Sequence, residues 1–593
     1  MCGIVTYSSK FNYSIDKALF SIRHRGPDKS NFFFDEDIFI GHVLLQIRDG
    51  LNKSLQPKIS KNKRYVLVYN GQIYNLDYLK KFVDIKKDEL DTNFILKLLD
   101  KFGIEGLKYI DGMYAIVIYD KKNKQIIFTR DPSGQKHLYY YIDEFGKIII
   151  SSEIKALLDI KKKSSVLSPQ GTKEFFSIGL NPNNNTFIAE IYKLLPGEII
   201  FYSIKDKCIL QKNFLKKKIS TIKLGNKELI KKNILSHLSS KKKIALNLSG
   251  GIDSNLILSE IIKSGRKIDI FSTYCECKDN NFNNDFFIAR SVAKKLNLRF
   301  IETCVTKKDY FDNLVKSIEV VEEPNRNSAN TLYFLNFKNQ AKHGYRTILS
   351  GAGGDEVFIG YKNFFFNRKY QKLLNKIYKT ISAKKIYNWL IYSLIDNKGK
   401  YLLPSFFLEK NFFLENENFI KILINNIYYF QKSLFNSKKF YSLNFLKLIY
   451  GQFTWLASET YLSMDKLGMA NSVEMRAPFS SYDFTFKQMN FLRESHFTSA
   501  YNKPLIRNIY KNDLLEEVIN NKKKTGWPVP KEWLLSKNFK TLLLDFIPRT
   551  NDNFFNFVYI RRYIEKYPEH LNRNYFYSLL SFLVLCKKYK IKS

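Results

Sequence analysis

Hydrophobic and polar positions change their period near residue 200. Before that point, short β-branched and aromatic runs (Tyr65 to Tyr69, Tyr114 to Tyr119, Ile126 to Thr129, Lys147 to Ser151) stand between turn residues. Asn70-Gly71, Asp111-Gly112 and Ser133-Gly134 read as those turns. The pattern predicts an antiparallel, sheet-rich first domain over residues 2–203, its strands ending near Leu195-Pro196-Gly197. Lys205 to Asn226 is lysine-rich and weakly patterned, so residues 204–226 read as a linker. From Lys227 onward, buried-strand runs (Lys243 to Leu248, Ile268 to Tyr274, Arg346 to Ser350) alternate with helical stretches. That alternation predicts a parallel α/β sheet in a second domain, residues 227–593. Beyond Tyr361 the pattern is mainly helical. Tyr575 to Cys586 reads as a buried terminal helix, too short for a membrane span of roughly 18 residues.

Composition changes this picture little. Apolar residues make up 45% of 593, enough for large cores and against wholesale disorder. The net charge of +40 raises the prospect of a nucleic-acid or membrane partner. Yet the lysines are dispersed and often abut acids, as in Lys86-Lys87-Asp88-Glu89, and no nucleic-acid module stands out. Biased composition is the simpler reading. The start, Met1-Cys2-Gly3-Ile4-Val5, has neither a basic n-region nor an h-region. Only Cys275 and Cys277 of the six cysteines are neighbours, a spacing that fits neither a zinc site nor a disulfide framework. A reducing cytoplasm is expected.

Two constellations carry chemistry. Removal of Met1 would leave Cys2 with a thiol and a free α-amine, and an amine of pKa about 8 can act as the thiol's own base. Leu248-Ser-Gly-Gly-Ile-Asp-Ser254 follows a buried strand and precedes a helix. Its small residues let backbone N–H groups approach a phosphate, and the helix N-terminus adds a favourable dipole. It lacks the Gly-Lys-Thr/Ser of a Walker loop.

These residues and their neighbours resemble the asparagine synthetase family, in which a class II glutamine amidotransferase domain precedes an N-type ATP pyrophosphatase domain. In the first domain, Arg23-His-Arg-Gly-Pro-Asp28, Asn70-Gly-Gln-Ile-Tyr-Asn75, Asp91, Asp111-Gly-Met-Tyr-Ala115, Arg130-Asp-Pro-Ser-Gly134 and Ser152-Glu-Ile-Lys-Ala156 match in order. In the second, so do Ser249 to Ser254, Ser350-Gly-Ala-Gly-Gly-Asp355, Ser463-Met-Asp-Lys466, Ser472 to Phe479, Lys503 and Lys524 to Pro530. The likeness runs over roughly residues 2–590. It implies an α/β multidomain chain, an N-terminal-nucleophile (Ntn)-hydrolase-like antiparallel sandwich followed by a parallel-sheet domain with a helical end.

The resemblance also implies roles. Cys2 is the nucleophile. Asn70 and Gly71 face the developing oxyanion, although Asn-Gly by itself reads as a hairpin turn. Ile47, Arg48, Gln72 and Asp91 contact glutamine, with Asp91 on its α-ammonium. Leu248, Ser249, Gly250, Gly251, Asp253, Ser254, Thr273, Ser350 and Gly351 contact ATP. Asp253 and Asp355 hold Mg²⁺, and Lys503 stabilises charge on pyrophosphate and the acyl intermediate. The partners implied are small molecules (glutamine, ATP and a carboxylate, aspartate by default) and no nucleic acid; a homodimer is a compatible assembly.

Three positions depart from the family. Leu44 stands where an arginine grips the glutamine carboxylate; Arg48, four residues on, would share its face on a strand. Gln72 replaces a glutamate. Ala352 replaces a glutamate of the acceptor site, for which Glu356 or Glu323 are candidate substitutes. The departures keep two rivals in view: a same-fold amidotransferase acting on another carboxylate, such as a uronic acid of a surface polysaccharide, and a non-catalytic relative.

Overall fold

Period-2 alternation in the first 215 residues builds two six-stranded sheets. The first runs in the order Ile191–Lys193, Tyr139–Ile142, Ile148–Ser151, Cys2–Ser8, Ile38–Leu44, Lys29–Phe34. The second runs Cys208–Phe214, Glu198–Ser203, Gln125–Arg130, Gly112–Asp120, Tyr65–Ile73, Lys58–Ile59. All these pairings are antiparallel. Successive side chains point to opposite faces. So Ile4, Ile40, Val66, Val117 and Phe128 meet between the sheets, while Val5, Tyr7 and Phe39 face outward to the helix Ile154–Ile160. The far side of the second sheet is covered by the helix Asp91–Phe102, through Ile95 and Leu99. This computed structural model describes residues 2–8, 15–48, 51–84, 89–161, 164–219, 223–277, 279, 281–360, 448–449, 451–498, 502–521, 528–572 and 574–592.

Two sequence readings change here. Asn70-Gly71 is not a turn: it lies inside Tyr65–Ile73, opposite Ala115 and Tyr114. Glycine is required because a Cβ at Gly71 would stand 2.1 Å from the Met113 carbonyl oxygen. And the stretch read as linker begins with a strand, Cys208–Phe214, paired with Glu198–Ser203.

The second half holds five parallel strands in the order Phe300–Val305, Asp269–Cys275, Ile244–Asn247, Thr347–Leu349, Glu474–Arg476. Both faces are covered, as a parallel sheet demands. Leu246, Ile270 and Leu349 pack under the helices Ile252–Lys263 and Asn284–Lys295. Ala245, Phe271 and Ile348 pack under Asn330–Lys342 and Thr460–Met469. The helix Asn574–Lys588 buries Tyr575 to Leu585 against both halves of the chain, Phe176 and Phe187 among its partners. No helix of the described residues is long and apolar enough to cross a membrane. Residues 361–447, part of the stretch read as mainly helical, lie outside the described residues, as do Lys524 to Trp527 of the expected basic loop.

Buried ions join the halves. Arg25 donates to Glu153 (3.0 Å) and, across 440 residues of chain, to Asp465 (2.8 Å). Lys136 reaches the other oxygen of Asp465 at 2.9 Å. Lys466 donates to Glu322 (2.6 Å) and to the Ser152 carbonyl (3.1 Å). Asp28 holds Arg346 of the second half. The motifs that matched the family without an evident role, Arg23 to Asp28 and Ser463 to Lys466, therefore supply this junction.

Candidate active sites

Cys2 opens its strand, with Leu44 as cross-strand partner. The nitrogen of Cys2 donates to Asn70 Oδ1 at 3.0 Å, so the two sheets meet at this residue. Asn70 is fully buried, and its Nδ2 has no hydrogen-bond partner. A buried amide donor without a partner is costly, and here it belongs to the side chain that accepts from the Cys2 nitrogen. Burial pushes the Cys2 thiol up; the Leu45 backbone N–H and the Arg25 guanidinium pull it back.

A cavity of about 80 Å³ opens on Cys2. Its wall includes Leu44, Ile47, Arg48, Gly71, Gln72 and Asp91. Of the residues expected to touch glutamine, Ile47, Arg48, Gly71, Gln72 and Asp91 are on this wall; Asn70 is not, and is fully buried. Asp91 lies at the start of its helix. Its Oδ2 accepts from the Ile73 N–H (2.9 Å) and the Tyr69 hydroxyl (3.3 Å); its Oδ1 accepts from Arg48 Nη1 (2.6 Å). Burial raises the Asp91 carboxyl, and Arg48 is the strongest group opposing that rise.

Two wall residues come from the far half: Glu474 and Arg476, on the edge strand of the parallel sheet. Arg476 is fully buried and its donors are distributed. Nε goes to Glu474 (2.5 Å), Nη1 to the carbonyls of His237 (2.7 Å) and Ser239 (2.8 Å), and Nη2 to Gln72 Oε1 (3.3 Å). Sequence reasoning missed this closure. The only available signal was the family pattern Ser472 to Phe479, which named no partner.

The second cavity, about 330 Å³, sits at the carboxyl end of the parallel strands. Ligands of open α/β sheets bind at that end. Ser249, Gly251, Asp253, Ser254, Ser350, Gly351, Asp355 and Lys503 line it, as expected. Leu248 and Gly250 do not: Leu248 is buried in the core, and a Cβ at Gly250 would meet Asp285 at 3.0 Å. Thr273 faces a small adjoining cavity with Tyr274 and Pro528; Asp285 lines both spaces.

The loop is locally braced. The Ser249 N–H donates to Ser254 Oγ (3.2 Å), and Asn255 Nδ2 caps the carbonyls of Ser249 (2.9 Å) and Gly251 (2.8 Å). Lys503 Nζ sits between the two aspartates, paired with Asp253 and 2.7 Å from Asp355. Lys503 adopts φ 53°, in the left-handed region, just ahead of the helix Pro504–Ile509. Asp253 Oδ1 is buried without a hydrogen-bond partner. Two converging carboxylates, one with an oxygen to spare, fit a hard divalent cation shared with phosphates. Wall residues with no forecast include Asn247, Tyr333, Arg507 and Asn521. Ala352 is on the wall with Glu356. Glu323 does not line the cavity; it is held at the domain junction by Tyr139 (2.7 Å) and Lys193 (2.5 Å).

Comparison with known proteins agrees with this layout. A glutamine amidotransferase domain model matches residues 1–214, and the asparagine synthase model matches residues 226–589. Asparagine synthetase [glutamine-hydrolyzing] 1 of Bacillus subtilis is 27% identical over 540 residues, 86% of this chain and 83% of that one. Asparagine synthetase B of Escherichia coli is 28% identical over 383 residues, 62% and 65% of the two chains. The maize enzyme is 27% identical over 413 residues, covering 66% and 65%. The chain belongs to the asparagine synthase family, and it is a ligase whose synthase domain follows a glutamine amidotransferase domain.

Proposed function

We propose that this enzyme is a glutamine-dependent asparagine synthetase in which Cys2 releases ammonia and the Ser249–Ser254 loop activates aspartate. The observation that carries the reading is the pairing, in one chain, of a buried Cys2–Asn70 contact with a phosphate-type loop whose aspartates converge on Lys503. With Met1 removed, the nitrogen that donates to Asn70 is the α-amine, positioned on the nucleophile's own residue. Cys2 Sγ attacks the glutamine carboxamide. Asn70 Nδ2 and the Gly71 N–H stabilise the oxyanion. Ammonia leaves, and water releases glutamate from the thioester.

In the larger cavity an aspartate carboxylate oxygen attacks the α-phosphorus of ATP and pyrophosphate departs. Adenylation converts a poor leaving group into a good one. Ammonia, reaching the cavity through the interior, attacks the acyl carbon and AMP leaves. Asp253 and Asp355 would hold Mg²⁺, which supplies charge neutralisation on the phosphates. Lys503 carries positive charge to the same place. Thr273 is assigned to the adenosine side through the adjoining small cavity; Leu248, buried in the core, and Gly250, packed on Asp285, shape the loop from behind.

Ala352 supports a second reading, that the acceptor is a larger carboxylate such as a uronic acid. An alanine on the cavity wall leaves space and removes a charge. The test is product identification with glutamine, ATP, Mg²⁺ and a panel of carboxylates. Asparagine, AMP and pyrophosphate are expected; ADP with phosphate would overturn the mechanism, and amidation of a sugar acid alone would move the assignment to the second reading.

A further inference from the structure

The glutaminase cavity poses a charge problem. Free glutamine carries an α-ammonium and an α-carboxylate, and its recognition needs one group of each sign. Leu44, cross-strand from Cys2, is 3% exposed and carries no charge. Gln72 is neutral and has both polar ends engaged, Oε1 with Arg476 and Nε2 with the Ile73 carbonyl (3.2 Å). Arg476 and Glu474 neutralise one another at 2.5 Å, and Arg476 is anchored by two carbonyls besides. What remains on the wall is Arg48 with Asp91, joined at 2.6 Å through one terminal nitrogen and one carboxylate oxygen.

We propose that the Arg48–Asp91 pair is an internal stand-in for the substrate, and that glutamine binds by exchanging partners with it: the α-ammonium takes Asp91 and the α-carboxylate takes Arg48. This rests on reading the cavity as the glutamine site. Three features support the exchange. The Arg48 side chain keeps 19% of its surface exposed against 7% for Asp91, so the arginine is the partner with somewhere to go. Asp91 is fixed from behind by the Ile73 N–H and the Tyr69 hydroxyl, so it stays in place when Arg48 swings away. And an ionised carboxylate and guanidinium each have acceptor or donor capacity beyond one contact, so neither is left bare midway. The exchange gains an ion pair: one part-buried pair is given up and two are formed. It also makes recognition demand both charges of the ligand, because an ammonium without a carboxylate must displace Arg48 and leave that cation without a partner.

The test is calorimetric binding to the full chain carrying Cys2→Ala, which cannot consume ligand, with and without Arg48→Met. Three ligands are compared: glutamine, 4-aminobutanamide (no carboxylate) and glutaramic acid (no ammonium). Loss of a charge-assisted contact should weaken glutamine and glutaramic acid by about 10- to 100-fold. The same substitution removes the competitor for Asp91, so 4-aminobutanamide should bind tighter, by about three- to fivefold. Opposite directions are the signature; a merely structural role for Arg48 would weaken all three. Arg48→Lys, which keeps the charge and loses the fork, should give smaller shifts of the same signs and decides the matter if Arg48→Met does not fold. Equal weakening of glutamine and 4-aminobutanamide, or glutamine binding indifferent to Arg48, overturns the exchange while leaving the glutaminase assignment intact. No glutamine binding at all, together with no Cys2-dependent glutamine hydrolysis in the unaltered enzyme, overturns both.

Discussion

The two cavities solve the same electrostatic problem by different construction. In the larger one a single local unit supplies the loop and one of the charges: the strand Ile244–Asn247, the loop after it, and the helix from Ile252 that carries Asp253. Lys503 and Asp355 close on that unit, and the ammonium stands where it offsets both carboxylates. In the smaller cavity the run Leu44 to Arg48 shares the wall with side chains from several distant segments. Strands of two sheets, the start of one helix and an edge strand of the other domain each bring one wall. Its charges cancel in pairs, Arg48 with Asp91 and Glu474 with Arg476. The difference teaches where failure will come from. A phosphate loop is a property of one segment and fails by local substitution. The smaller cavity is a property of docking, because Arg476 reaches Gln72 across 404 residues of chain.

The sharpest way to separate the two is Cys2→Ala. Glutamine-dependent amidation should fall by about 10³-fold or more, the scale of losing a covalent nucleophile, while amidation with added ammonium salt continues. Parental rates of glutamate release from the variant would show that Cys2 is not the nucleophile.

The mirror experiment is Lys503→Ala. With the bridging ammonium gone, Asp253 and Asp355 face one another unscreened, and pyrophosphate release should drop by about 10²- to 10³-fold, the range for removing one preorganised charge-stabilising group. Glutamine hydrolysis at Cys2 should stay within a few-fold. A matching fall in both activities would mean that the cavities are not separable.

That contrast also explains what could be read beforehand. The Ser249 to Ser254 loop was legible because strand, glycines and helix follow one another in seven residues, and local physics decides each. The Tyr65, Gly112, Gln125 and Ile148 strands were legible from alternation, and the terminal helix from its apolar run. Asn70-Gly71 misled because its glycine serves an inter-strand approach to Met113, not a positive φ. The strand Cys208–Phe214 was missed because it is an edge: Gln211, Lys212 and Asn213 are exposed, and polar or lysine-bearing edges lack the buried alternation that marks a strand. Glu474 and Arg476 were beyond reach for a different reason. Their role exists only once the domains dock, and no local pattern encodes a partner so far along the chain.

A smaller effect probes the junction on which the first cavity depends. Burial raises the Asp465 carboxyl, but Arg25 and Lys136 outweigh that and hold it at about 2. Unfolded, an aspartate titrates at about 3.9. The ionised form is therefore favoured by folding, the stabilisation is complete above about pH 4, and it is lost as pH falls toward 2. The amount is about 2 to 3 kcal/mol. Urea midpoints measured from pH 5 down to pH 3 should decline, and Asp465→Asn, less stable throughout, should lack that part of the slope. An unchanged slope in the variant would place the acid sensitivity elsewhere.

The smallest expected effect concerns the acceptor and sharpens the comparison inside the larger cavity. Ala352 lies between Gly351 and Gly353 on the wall, its N–H 3.3 Å from Ser350 Oγ and its carbonyl accepting from Ser480 at 3.3 Å. The backbone there is held at both ends, so Ala352→Glu changes what projects into the cavity more than where the loop runs. A well-placed general base contributes about 10²- to 10⁴-fold, whereas a carboxylate added without supporting contacts should deliver only a fraction of that. Glu356, on the same wall, already supplies one negative charge, and a second would repel it. Aspartate-dependent turnover is therefore expected to rise by about tenfold at most. If the unaltered enzyme already uses aspartate with kcat/KM of about 10⁴ M⁻¹s⁻¹ or more, an ordinary enzyme's efficiency, the larger-acceptor reading falls whatever the variant does. If Ala352→Glu leaves aspartate turnover unmoved, this position does not choose the acceptor, and the choice passes to other residues lining the same cavity, Tyr333, Thr460 and Met464 among them.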